Sequence, residues 1–162
     1  SILKQLKWDS QITVQKMSFA SMLHDIELND VMFANKLNLM DSSDFETEIN
    51  QPTNYKIYNH TINAANFVNS WTSCPPDVDK LILQHHERFD AAGFPNRLSF
   101  LNIFQLAAVF IIAEDLVYEK IKNPDIKLVD FLKKNSHYYA RGDVKKIYEA
   151  ALIAVEEVDS SI

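Results

Sequence analysis

The sequence predicts an all-α single domain of six or seven helices. Apolar residues recur at helical spacing along most of the chain, and helix-breaking residues fall between these stretches. Only 2 of the 162 residues are glycine, whereas tight β-hairpins depend on residues that adopt positive φ. The chain has the usual length of one domain, and its 47% of hydrophobic residues can form a buried core. These observations argue against an all-β fold.

The first half of the chain predicts one clear helix followed by an irregular stretch. The helix spans about 11–26, and its apolar stripe leads up to His24. Asn, Asp and Ser are frequent in 27–52, where apolar residues come in short bursts. Two short helices are expected inside this stretch, at 31–39 and 45–49.

Proline and glycine separate the helices of the second half. Pro75-Pro76 ends one predicted helix and begins the next. Gly93 breaks the helical pattern again, and Pro124 ends a long apolar helix. The apolar stripes between these breaks predict helices over 54–71, 78–86, 99–122, 125–134 and 143–158.

Charge and composition exclude several classes of partner. With 16 basic and 22 acidic residues, the net charge of −6 does not suit a protein that binds a nucleic-acid polymer. The single cysteine, Cys74, rules out a disulfide framework and is typical of a reducing compartment. The longest apolar run, 106–113, is too short to span a membrane. We therefore expect a cytoplasmic protein without a membrane partner.

Four of the five histidines lie on apolar helix faces. His24 ends the first stripe, His60 lies within the stripe of the helix at 54–71, and His85 and His86 share the next stripe. Neutral imidazole is a good ligand for zinc, iron and manganese, so inward-pointing histidines on three helices predict a metal site. His137 lies in a polar segment and is expected at the surface or in a turn.

A buried histidine on an apolar face is more often a hydrogen-bonded core residue than a metal ligand. That interpretation suffices for His60 alone. It is less satisfactory for His85 and His86, because two adjacent core imidazoles need partners for four ring nitrogens. It is also less satisfactory for His24-Asp25, whose carboxylate has no lysine or arginine nearby in sequence.

Two motifs connect these histidines to a known family. The sequence HDI starts at His24, His60 follows on a later helix, and HHERFDAAGFP spans 85–95. Together they resemble the HD-GYP branch of the HD phosphohydrolase superfamily, which is named for a His-Asp pair and a downstream HHExxDGxGYP motif. The resemblance covers about residues 11–118, and the longer motif is the specific part of it.

The resemblance implies an HD-domain helical bundle around a metal site. It also implies a metal-dependent phosphodiesterase of bacterial signalling that hydrolyses cyclic di-GMP. Two divalent ions, expected to be iron with manganese or zinc as alternatives, would generate a metal-bridging hydroxide that attacks phosphorus. Residues 1–162 would form a single HD-GYP-like domain, the C-terminal output part of a longer protein. A regulatory N-terminal domain or a diguanylate cyclase is the expected protein partner.

The resemblance further implies how two ions would share the ligands. Asp25 would bridge both ions. His24 would bind the second ion together with a carboxylate from the helix at 99–122. The ligands that complete the first ion would be His60, His85 and His86.

Two neighbouring acids, Glu114 and Asp115, are candidates for that carboxylate. Ungapped counting from His86 favours Glu114, whereas the residue type of the family favours Asp115, which we prefer. Glu87 would not contact a metal ion itself but would orient one of the imidazoles that bind it. The loop expected to contact substrate or a partner comprises Arg88, Asp90, Gly93, Phe94 and Pro95.

The chain departs from the family pattern at several positions. Glu27-Leu28 stand where the family has Gly-Lys, so the lysine expected near substrate phosphate is missing. Ala91 and Phe94 replace a glycine and the tyrosine of the motif. The family also has a ligand histidine well before the HD pair. None precedes His24 here, so the second ion is expected to lack a ligand in this chain.

These departures leave two functions of different classes open. The first is a cyclic di-GMP phosphodiesterase, which the retained ligand set favours. The second is a divergent, non-catalytic HD-GYP module that senses the nucleotide or binds a partner protein, which the lost lysine and tyrosine favour. Hydrolysis of another phosphoester is a variant of the first, because the metal ions do not select the base.

Overall fold

The computed structural model describes residues 1–41, 47–48 and 50–160. The regular secondary structure of these residues is helical, with no strand and one isolated bridge between Asp90 and Ser99. The all-α prediction is therefore confirmed. The short helix expected at 45–49 lies largely outside the described residues. The helices of the described ranges are α1 (Ile2–Gln5), α2 (Gln11–Leu23), α3 (Asp30–Asp41), α4 (Pro52–Ser70), α5 (Val78–Gln84), α6 (Gln105–Lys122), α7 (Leu128–Lys134), α8 (Ser136–Tyr139) and α9 (Val144–Asp159).

The described residues contain more helices than the six or seven predicted, because α1 and α8 are single turns that carry too few residues for a periodic signal. Two boundaries also differ in a way that matters for the histidines. Helix α2 ends at Leu23, so His24 and Asp25 lie in the turn that follows it. Helix α5 ends at Gln84, which places His85 and His86 in a turn rather than on a helix face.

Helix α6 begins at Gln105 and not at Ser99. The side chain of Gln84 accepts a hydrogen bond from the backbone N–H of Phe104 at 2.8 Å, which satisfies a donor at the start of the helix. Phe104 itself has an extended backbone. The stretch between α5 and α6 therefore forms a long loop, residues 85–104, that folds back beside the end of α5.

Helix α6 is the most buried helix of the structure. Its residues 107–112 are all buried, and it packs against α5, α7 and α9. Helix α9 contributes a typical amphipathic face, on which Val144, Ile147, Ala151 and Val155 are buried. Burial of these apolar faces is the main favourable term that fixes the position of α6.

Helix α4 packs against both α5 and α3, and α2 also packs against α5. These contacts bring the turn after α2, the middle of α4 and the end of α5 to the same place. Within the described ranges, no helix combines the length and the apolar character that crossing a membrane requires.

Gly93 allows the loop at 85–104 to pass close to its own beginning. A Cβ atom at this position would lie 2.3 Å from the backbone nitrogen of Arg88 and 2.4 Å from the carbonyl oxygen of His86. The next residue, Phe94, donates its backbone N–H to that same His86 carbonyl at 3.0 Å. Only glycine fits here, because a Cβ atom would clash with the backbone of residues 86–88.

Ala91 adopts a left-handed backbone, with φ of 66°. For a residue with a Cβ atom this conformation costs about 1–2 kcal/mol, whereas glycine adopts it freely but loses about 0.5–1 kcal/mol of chain entropy. We predict that Ala91→Gly raises the free energy of unfolding by about 0.5–1 kcal/mol in urea denaturation. The neighbouring Ala92→Gly is the control and should lower it. Equal destabilisation by both variants would contradict this account of the loop.

Candidate metal centre

Three imidazoles and one carboxylate converge inside the protein. Asp25 comes from the turn after α2, His60 from the middle of α4, and His85 and His86 from the end of α5. Nε2 of His60 lies 3.2 Å from Oδ1 of Asp25 and 3.2 Å from Nε2 of His85. Nε2 of His85 is 3.7 Å from the same carboxylate oxygen. Each residue offers one donor atom, and these atoms all lie within 4.8 Å of one another. We call these residues the four-donor cluster.

Backbone carbonyls orient two of the imidazoles. Nδ1 of His60 bonds to the carbonyl of Ile57, and Nδ1 of His85 bonds to the carbonyl of Ile82 at 2.6 Å. A carbonyl only accepts, so each Nδ1 carries the proton and each neutral ring has its lone pair on Nε2. The two Nε2 atoms therefore point lone pairs at each other and at Oδ1 of Asp25, an arrangement that favours a cation between them.

The imidazoles of the cluster are buried, and those of His85 and His86 are available as neutral ligands. His60, His85 and His86 are 1%, 2% and 4% exposed. Burial lowers the pKa of His85, and it lowers the pKa of His86 well below its usual value. Both rings are therefore neutral at pH 7, and the neutral ring is the form that binds a metal ion.

Asp25 supplies the negative charge of the cluster. Burial by itself raises the pKa of this carboxyl, but the Lys36 ammonium, 2.5 Å from Oδ2, favours the charged form and holds the pKa below its usual range. The group is a carboxylate at neutral pH.

Two atoms of the cluster are buried without a hydrogen-bond partner, Oδ1 of Asp25 and Nε2 of His86. Unpartnered buried polar atoms are costly and require an explanation. A metal ion would satisfy both, and a set of three imidazole nitrogens and one carboxylate oxygen suits zinc, iron or manganese. The four-donor cluster fits one divalent ion.

A second set of donors adjoins the first and shares Asp25. Nε2 of His24 lies 3.4 Å from Oδ2 of Asp25 and 3.6 Å from Oε1 of Glu114. Nδ1 of His24 contacts the carbonyls of Ala20 and Ser21, at 3.2 Å and 3.1 Å, so its Nε2 also carries a lone pair when the ring is neutral. We call His24, Asp25 and Glu114 the second donor set.

Lys36 occupies the second donor set. Its Nζ lies 2.5 Å from Oδ2 of Asp25 and 3.2 Å from Oε1 of Glu114, and its side chain is 1% exposed. Burial raises the pKa of Glu114, but the positive charge near it holds the pKa below its usual value. Because His85 is neutral at pH 7, the Lys36 ammonium is a main source of that charge.

Sequence reasoning missed Lys36, although it lies eleven positions after Asp25 in the chain. The segment around it was predicted only as a short helix at 31–39, whereas α3 extends over Asp30–Asp41 and packs against α4. The available signal was a lysine three residues after Phe33 in a mostly apolar stretch, a spacing that places both side chains on one helix face.

The structure brings Glu114, and not Asp115, to His24 and Asp25. Asp115 is the next residue on α6 and points to a different side. Its Oδ1 accepts a hydrogen bond from Arg88 at 2.7 Å, and its Oδ2 accepts one from Tyr139 at 2.8 Å. The preference for Asp115 therefore does not agree with the structure, because that carboxylate forms an ion pair between the loop and α6.

Glu87 is fully buried, but it orients the loop and not an imidazole. Its two carboxylate oxygens accept the backbone N–H groups of Asn96 and Leu98, both at 2.7 Å. Burial raises the pKa of Glu87, and these two hydrogen bonds oppose the rise. The expectation that Glu87 supports a ligand ring is corrected: carbonyls of α4 and α5 do so for His60 and His85.

Phe94 packs against the cluster. Its ring is stacked on His86, with ring centroids 4.6 Å apart, and on Tyr58, with centroids 5.3 Å apart. The Tyr58 hydroxyl donates to the carbonyl of Pro95 at 2.8 Å. The aromatic side chain that replaces the motif tyrosine is thus a wall of the site that carries no hydroxyl.

A cavity of about 440 Å³ opens beside the cluster. His86 lines it, so one cluster ligand lies at its wall. Of the loop residues predicted to contact substrate or partner, Pro95 does not line the cavity, whereas Arg88, Asp90, Gly93 and Phe94 do. His137 is exposed, as predicted, and lies on α8.

We predict that His85→Ala removes most of the bound metal from protein purified without chelators, because it deletes one of four donors. His137→Ala, which changes an exposed histidine outside the cluster, should keep the metal content of the wild type. Element-resolved mass spectrometry of the three proteins is the measurement. Equal metal content in all three would exclude the cluster as the binding site.

Comparisons with known proteins assign neither a family nor a function to this chain. No protein-family model, no curated protein and no solved structure matches the chain. The candidate site therefore stands on its own residues and on the motif resemblance given above.

Proposed function

We propose that this protein is a metal-dependent phosphodiesterase that hydrolyses cyclic di-GMP. The observation that carries the proposal is the four-donor cluster, Asp25, His60, His85 and His86, buried beside a cavity that the HHERFDAAGFP loop lines. The choice of substrate rests on the resemblance of that loop and of the HDI motif to HD-GYP domains.

A divalent ion in the cluster would supply a Lewis acid for the phosphate and lower the pKa of a water molecule. The protein residues prepare this chemistry. The carbonyls of Ile57 and Ile82 fix the rings of His60 and His85, so these ligands need no reorientation when an ion binds. Burial keeps His85 and His86 unprotonated and ready to coordinate.

The size of the cavity suits a nucleotide-sized ligand, since small-molecule sites commonly enclose about 300–1,000 Å³. Its charged side chains are of both signs. Arg88 is paired with Asp115, and the basic Lys122 and the acidic Asp90 and Glu119 also line the cavity. Attraction of a doubly anionic phosphodiester therefore depends on the charge of the bound ion more than on basic side chains.

One observation favours the second function, a non-catalytic module that binds the nucleotide or a partner protein. Lys36 contacts both carboxylates of the second donor set, where the two-ion chemistry of the family requires a metal ion. Phe94 also supplies no hydroxyl group to the site. A module of this kind would retain the cavity and the loop without turning over the nucleotide.

The proposal is tested by incubating cyclic di-GMP with anaerobically reconstituted protein and following the linear dinucleotide by chromatography. We predict metal-dependent turnover that His85→Ala lowers at least about 100-fold, the scale of losing a metal ligand or its support. His137→Ala should match the wild type. If the protein hydrolysed bis(p-nitrophenyl) phosphate but not cyclic di-GMP, phosphodiester hydrolysis would be supported and cyclic di-GMP as the substrate would be contradicted.

Binding of cyclic di-GMP without hydrolysis, in protein that contains metal, would overturn the enzyme in favour of the binding module. Activity that persists in the His85→Ala protein would contradict the role of the cluster itself.

A further inference from the structure

We propose that the Lys36 ammonium takes the place of a second divalent ion, so that this chain holds one ion and not two. The ion would bind to the four-donor cluster, and Lys36 would neutralise the second donor set. This inference rests on the proposed metal-dependent function and specifies how many ions that function uses.

The two oxygens of Asp25 divide between the two sites. Oδ1 faces Nε2 of His60 and of His85 and has no hydrogen-bond partner. Oδ2 accepts from Lys36 at 2.5 Å and lies 3.4 Å from Nε2 of His24. One oxygen is thus available to a metal ion, whereas the other is already bonded to a cation.

Glu114 is bonded in the same way. Its Oε1 accepts from Lys36 at 3.2 Å and from the hydroxyl of Tyr118 at 2.8 Å, whereas its Oε2 is buried without a hydrogen-bond partner. The ammonium therefore contacts both carboxylates that a second ion would need. The remaining ligand of that set, His24, lies 3.6 Å from the same Oε1 atom.

The position of Lys36 is built into the fold. Its side chain is 1% exposed, and its Nζ lies 5.2 Å from the ring centroid of Phe33 and 5.0 Å from that of Tyr118. Both distances are within the range of cation–π attraction. Two aromatic faces and two carboxylates therefore hold the ammonium. If Lys36 left this position, the two buried carboxylates would lose their cationic partner.

Charge balance gives the same result. The Asp25 and Glu114 carboxylates carry two negative charges, and one ammonium together with one divalent ion already exceeds them. A second divalent ion would have to share these carboxylates with a lysine cation that it repels. Replacement of the lysine by a neutral side chain removes that repulsion and frees the two carboxylates of the second donor set from the ammonium.

The experiment compares wild type, Lys36→Met and Lys16→Met after anaerobic loading with Mn²⁺. Methionine keeps the length of the buried side chain without its charge. Lys16, which pairs with Asp77 at 2.8 Å outside the donor sets, is the control lysine. Metal content is measured by element-resolved mass spectrometry, and the arrangement of ions by electron paramagnetic resonance.

We expect about one Mn²⁺ per chain in wild type and Lys16→Met, with the spectrum of an isolated ion. Lys36→Met should bind about two ions per chain and show the spectrum of an exchange-coupled pair. Two coupled ions in the wild type would overturn the inference and leave the proposed function intact. Folded Lys36→Met that still binds one ion would also overturn it.

A wild type that takes up no ion would overturn the proposed function, and this inference with it. If Lys36→Met does not fold, the wild-type stoichiometry and spectrum alone decide between one ion and two.

Discussion

The charge of Asp25 constrains how four helices meet. Its carboxylate lies in the turn after α2, contacts Lys36 of α3 and His60 of α4, and is 3.7 Å from Nε2 of His85 at the end of α5. A charged group that leaves water needs compensation, which the Lys36 ammonium supplies to Oδ2, whereas Oδ1 faces the lone pairs of two rings. The positions of the turn, of α3 and of the histidine pair therefore depend on one another. The same requirement creates the candidate metal site, because Oδ1 of Asp25 has no hydrogen-bond partner and a cation would compensate its charge.

Much of the fold followed from periodicity and from helix-breaking residues. The long stripes of α4, α6 and α9 predicted those helices within a few residues, apart from the start of α6. That start was wrong because residues 99–104 are mostly apolar, as a buried helix would be, whereas Phe104 is held in an extended backbone and is hydrogen-bonded to the Gln84 side chain at the end of α5. Such a contact between distant parts of the chain leaves no periodic signal. The one-turn helices α1 and α8 were missed because four residues are too few to show a helical period.

The sequence predicted most of the residues that form the site but not the residues that they contact. The convergence of His24, Asp25, His60, His85 and His86 was expected from apolar stripes and from the motif resemblance, although in the structure only His60 lies within a helix and the other four lie in turns. The choice between Glu114 and Asp115 depended on rotation about α6, which adjacent residues in a sequence do not reveal. The role of Glu87 was misjudged, and Lys36 was missed, for a related reason. Their partners lie in the loop, in the turn after α2 and on α6, and only the packed structure shows which buried charge faces which.

The central claim is that Asp25, His60, His85 and His86 hold one divalent ion beside the cavity. Anomalous diffraction from crystals of anaerobically purified protein, measured on both sides of the absorption edge of the bound metal, tests it most directly. The account predicts one peak at about 2.0–2.2 Å from the three Nε2 atoms and Oδ1 of Asp25, with Lys36 still between Asp25 and Glu114. A peak at another place, or none in crystals soaked with the metal, would contradict it.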